Sequence, residues 1–169
     1  QTWMMTRIIN LLSKNNDVSA WSLIAINDYS KQMFYVGSKL ETNRSVDAKE
    51  YILNVYFDNK EKTLRGTSSI TIEPYFSDEE IDNKIKEAVF NASLAQSKYF
   101  DLPHPSNDEL MSNASNLKDK DFIEFEDPLV HAVFRANKYQ DGSLNATEFF
   151  LNKYSVRIMN SNGVDVSYD

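Results

Sequence analysis

Hydrophobic and polar positions change period several times along this chain. In the first segment Trp3, Met4, Ile8, Leu11 and Leu12 fall on one broad face, which predicts a helix over about Thr2–Ser13. Asn15-Asn16-Asp17 ends it. Between Ala20 and Glu73 the period drops to two. Trp21, Leu23 and Ala25 alternate with Ser22, Ile24 and Ile26, and Tyr51, Leu53, Val55 and Phe57 alternate with Ile52, Asn54, Tyr56 and Asp58. Leu64, Gly66, Ser68, Ile70 and Ile72 repeat the pattern. β-branched and aromatic residues broken by Asn, Asp, Gly and Ser predict four or five mostly antiparallel strands joined by tight turns.

Helical periodicity returns after Pro74. Ser77 followed three positions later by Glu80 has the form of a capping box, and Asp78, Glu79 and Glu80 place anions at the positive end of the helix dipole. Ile81, Ile85, Ala88, Val89 and Ala92 then form one apolar stripe, so this helix is expected to run to about Gln96. Its small residues permit close approach to a sheet. From Phe100 to Asp121 the chain is dominated by Pro, Asp, Asn, Ser and Lys, which predicts a linker or mobile excursion. A third helix is expected with Asp127 as N-cap and Pro128 in its first turn. Strands over Thr147–Leu151 and Tyr154–Met159 follow, with a hairpin turn at Asn152-Lys153, and Val164, Val166 and Tyr168 begin a last strand. The organisation expected is 1–99 (helix, antiparallel strands, capped helix), 100–126 (polar linker or mobile excursion) and 127–169 (helix plus hairpin, leading into a missing C-terminal region). The fold class is α+β: a mostly antiparallel curved sheet packed against two or three helices.

Composition narrows the chemistry. Lys+Arg number 18 and Asp+Glu 25, a net charge of −7, which opposes the clustered cations that sequence-independent nucleic-acid binding needs. Cys is absent from the 169 residues, so thiol nucleophiles, disulfides and Cys-ligated zinc are excluded within them. The first fourteen residues do not read as a signal peptide, and no stretch reaches the ~18 apolar residues of a membrane span, so a cytoplasmic location is expected.

The two histidines, His104 and His131, lie 27 positions apart and in no zinc-ligand spacing. Four scattered glycines make no phosphate-binding loop, and no nucleophile elbow occurs. The twelve residues Asn137–Glu148 match a calcium loop at Asp141, Gly142, Leu144 and Glu148, but Tyr139 supplies no ligand at the third position. They read as a helix-to-strand turn. No catalytic, cofactor-binding or metal-ligating residue is assigned.

Several segments, taken in order, carry a likeness. Ala48–Asn59, Arg65-Gly66-Thr67-Ser68-Ser69, Ser77-Asp78-Glu79-Glu80 and Glu87–Ser93 are followed by Asp141–Glu148, Lys153–Ile158 and Asn160–Asp165. From about Trp21 to Asp169 the chain resembles the N-terminal region of the TldD/PmbA family, metallopeptidases also described as modulators of DNA gyrase. The resemblance implies a two-subunit assembly enclosing a cavity in which unfolded peptides are cut. It also implies zinc on a His-Glu-x-x-x-His helix and a downstream Cys, in the C-terminal part of the catalytic subunit. None of those ligands occurs here. The expectation is a non-catalytic N-terminal domain, inactive alone, with zinc in the missing region or in the partner subunit. Its partners would be a homologous second subunit or its own C-terminal domain, together with peptide substrates. The pattern is compatible with either subunit type. The alternative is a stand-alone α+β module that binds peptides or proteins by strand addition near Val164–Tyr168.

Overall fold

The computed structural model describes residues 2–108, 115 and 117–168. Its elements are α1 (Thr2–Leu12), β1 (Ala20–Val36), β2 (Lys39–Asp58), β3 (Leu64–Ile72), α2 (Asp78–Leu94), β4 (Gln96–Lys98), α3 (Phe122–Ala136), β5 (Ala146–Asn160) and β6 (Asp165–Tyr168). The strands form an open, curved antiparallel sheet in the order β4-β3-β2-β1-β5-β6, and with the three helices they make the α+β fold expected.

The region 20–73 holds three long strands rather than four or five. Asn27-Asp28 and Asn43-Arg44-Ser45, which look like breaks, stay extended within β1 and β2. The real turns are specified more strongly. Gly37 adopts φ +58° between β1 and β2, a conformation that only glycine takes without cost. In the 59–63 loop the Asn59 side-chain oxygen accepts from the backbone N–H of Thr63 (2.8 Å) and Leu64 (3.0 Å).

The chain divides into two compact units: residues 1–27, 49–110 and 155–168, and residues 28–48 and 111–154. In the first unit, β2 pairs antiparallel with β3 from Tyr51↔Ile72 to Asp58↔Arg65, and β3 pairs with β4. Here α2 packs on β3 and α1 on α2. The apolar stripe read from the sequence, Ile81, Ile85, Ala88, Val89 and Ala92, is buried in full, together with Met5, Ile8, Leu23, Leu53, Val55 and Ile72. Helix and sheet approach closely at Gly66, where a Cβ would sit 1.6 Å from the Ala92 carbonyl oxygen. Glycine is required there by contact rather than by dihedral angle.

In the second unit α3 covers a smaller cluster of Met33, Phe122, Val130, Phe149 and Leu151. Two expectations fail here. The helix starts at Phe122, so Pro128 lies inside it and Asp127 is not its cap. Asp121 is the N-cap residue, and its N–H donates to the Glu124 carboxylate (2.9 Å). The earlier start buries Phe122, whose ring stacks on Tyr29 at 5.1 Å, and this outweighs the backbone hydrogen bond that Pro128 removes. Likewise β5 runs straight through Asn152-Lys153 without a hairpin. The in–out alternation of Phe149 and Leu151 continues past them, and the Lys153 ammonium lies 5.7 Å from the Phe122 ring centroid and donates to the Lys120 carbonyl. Of the stretch 100–126 expected to be a linker or mobile excursion, residues 109–114 and 116 lie outside the described residues.

Candidate functional site

The polar clusters nearest to a site all lie in the first unit. Asp58 and Arg65 face each other as the last pair of the β2–β3 hairpin. Arg65 is buried to 4% exposure. Its Nε and Nη2 donate to the two Asp58 carboxylate oxygens at 2.6 and 2.9 Å, and Nη1 donates to the Phe100 carbonyl at 3.0 Å. The guanidinium lies over the Tyr99 ring at 4.4 Å and beside Tyr56 at 5.5 Å. Hydrogen bonding to Asp58 raises the Arg65 pKa further, so the guanidinium stays charged and acts as a clamp, not a proton donor.

A second cluster gathers where the chain leaves β4. Asp101 pairs with His104 through Nε2 at 2.9 Å, and its other oxygen accepts from the Leu102 N–H and from Asn162. Asn162 also donates to the Leu102 carbonyl (2.8 Å), and buried Asn160 donates to the Pro103 carbonyl (2.8 Å). The Asn160 side-chain oxygen accepts from the N–H groups of Asn162 and Val164, which shapes the turn between β5 and β6. The hydrogen bond from His104 is the main reason that the Asp101 pKa is lowered. Residues 100–105 are thus tied down despite their irregular backbone. A third feature is an open groove of about 320 Å³ lined by Asn15, Asp17, Phe57, Lys86, Val89, Phe90 and Ser93.

The residues weighed in the sequence fall apart spatially. Glu80 and Ser77 form the expected capping box, with the Ser77 N–H donating to Glu80 (2.7 Å) and the Glu80 N–H to Ser77 Oγ (3.2 Å). His131 lies exposed on α3, and its carbonyl accepts from Arg135. Asn137 caps the end of α3, and its side-chain oxygen accepts from the Leu144 N–H, closing the segment that resembles a calcium loop. Among the described residues no three His, Asp or Glu side chains gather closely enough to hold a metal, so the donor set does not fit zinc. Sequence reading missed Arg65 and Asn160. The signal for Arg65 was available: opposite charges at the two ends of one hairpin loop.

What these groups supply is positioning, apolar contact and fixed charge. Among the described residues no helix is long and apolar enough to cross a membrane.

No family model and no curated protein matches the chain. Solved structures do. TldE from Thermococcus kodakarensis superposes with a TM-score of 0.64 at 15% identity, over 97% of this chain and 36% of that one. A protein from Thermotoga maritima described as a candidate modulator of a DNA gyrase gives 0.65 at 12% identity, over 97% and 36%. Another so described, from Bacteroides thetaiotaomicron, gives 0.64 at 13%, over 98% and 37%. The resemblance read from the sequence is therefore matched by the fold, and the chain spans about a third of the length of the proteins it matches.

Proposed function

We propose that this chain is a non-catalytic N-terminal domain of a TldD/PmbA-like peptidase, contributing to subunit assembly and to enclosure of unfolded peptides. One observation carries the reading: nearly the whole chain superposes on about a third of TldE and of two proteins described as candidate modulators of DNA gyrase. Two features support a scaffolding role. The Arg65 clamp and the Asn160–Asn162 turn stiffen the periphery of the first unit, and its core residues Ile8, Leu23, Leu53, Ile81 and Ile85 are fully buried. Zinc, if the parent holds it, would be bound by residues outside this chain or by a homologous partner subunit.

The test compares the 169-residue chain with the full-length gene product, alone and mixed with its homologous partner. Zinc content and hydrolysis of unfolded peptides are measured. Both are expected to be negative for the chain and positive for the longer protein or its complex. Stoichiometric zinc in the chain alone would overturn the reading. So would a reading frame that closes after Asp169, and capture of extended peptides by that complete product would then favour a stand-alone binding module.

A further inference from the structure

The twelve residues Lys39–Glu50 of β2 are exposed on both faces. Pairing with β3 stops at Tyr51↔Ile72, so 39–50 is a long free sheet edge among the described residues. Such an edge pairs with another strand unless something blocks it. Leu40 and Val46 are exposed on it at 42% and 46%. Lys39 is 79% exposed and reaches Glu41 at 2.9 Å, while no ion pair of Asp47 occurs among the described residues.

We propose that this edge pairs with the same edge of a second copy, antiparallel about a two-fold axis through Asn43. In that register Lys39 faces Asp47, Leu40 faces Val46, Glu41 faces Ser45 and Thr42 faces Arg44, and each pair occurs twice. Opposite charges and apolar side chains meet, and no like charges do. Other registers are worse. Centring on Arg44 sets Lys39 against Lys49 and Glu41 against Asp47. Centring on Ser45 sets Leu40 against Glu50 and drives the incoming Lys39 onto Tyr51, whose outer side already holds Ile72. The Asn43 register ends clear of β3. An isologous contact of this kind closes on itself and stops at two chains.

This deepens the assembly role proposed above and rests on it, but sedimentation reads it independently of zinc and peptidase measurements. Analytical ultracentrifugation of the 169-residue chain over rising concentration is expected to show a monomer–dimer equilibrium. Lys39→Asp and Asp47→Lys should each weaken it by at least about tenfold, because each change turns two attractive pairs into two repulsive ones. The double reversal K39D/D47K restores opposite charges and should restore the dimer, with far-UV circular dichroism unchanged throughout. A chain that stays monomeric at all concentrations would overturn the proposal. So would a dimer indifferent to the single reversals, or a double variant that remains as weak as the singles.

Discussion

The two compact units bury their apolar residues to different depths. In the first, Ile8, Leu23, Leu53, Val55, Ile72, Ile81 and Ile85 are wholly inaccessible, held between two helices and the sheet. In the second, among the described residues only Met33 reaches that depth, and Phe122, Val130, Phe149 and Leu151 retain 6–9% exposure beneath α3. Among the described residues β2 is exposed on both faces over 39–50 and regains its in–out alternation at Tyr51. The difference teaches that one continuous strand can serve as core in one unit and as free edge in the other.

The sharpest way to break the comparison is to strike the charged clamp of the first unit. Arg65→Met leaves Asp58 buried without its partner, and urea unfolding should show a loss of about 3–5 kcal/mol. Truncation of the two cores comes next. Leu53→Ala should cost about 3–4 kcal/mol and Leu151→Ala about 2 kcal/mol, because the shallower site relaxes toward solvent more easily. Equal losses would show that the second core is as tight as the first. A smaller effect is expected from Ser77→Ala, about 1 kcal/mol by thermal unfolding, since it removes one half of the capping box.

The mildest prediction concerns acid. The pKa of Asp101 is lowered by His104, that of Asp165 by Arg157, and that of Glu80 by the Ser77 N–H and side chain, and all three lie in the first unit. A carboxylate whose folded pKa is depressed stabilises the fold above its unfolded value, about 4, and that contribution fades as the pH falls below it. Hydrogen exchange at pH 3 should therefore quicken around the Asn160–Val164 turn relative to pH 6, after correction for intrinsic rates, and Asp101→Asn should reduce the change.

Local signals were legible wherever a single element carried them. The Ser77–Glu80 box and the stripe from Ile81 to Ala92 specify α2 without help from the rest of the chain, and α1 follows from its own periodicity. Reading failed where packing overruled a strong local cue. Asp127-Pro128 is a good helix start, but burial of Phe122 draws the start back to Asp121. Asn152-Lys153 resembles a turn, yet neither residue adopts a positive φ, and the lysine has an aromatic ring to cover. The Asp58 partner of Arg65 was within reach of a sequence reading, but the remaining contacts of the Arg65 and Asn160 clusters were hidden for another reason. Their partners, Phe100 and Pro103, lie tens of positions away, in a stretch whose composition speaks only of irregular backbone.

The approach of Gly66 to Ala92 has a consequence for how this chain tolerates variation. Most interior positions can trade one aliphatic group for another with some loss, but here the carbonyl of α2 fills the space where any first side-chain carbon would stand. A saturation library should therefore return a single permitted amino acid at 66 while Ile70, four residues along the same strand, accepts several. The position would score as intolerant on account of backbone contact alone.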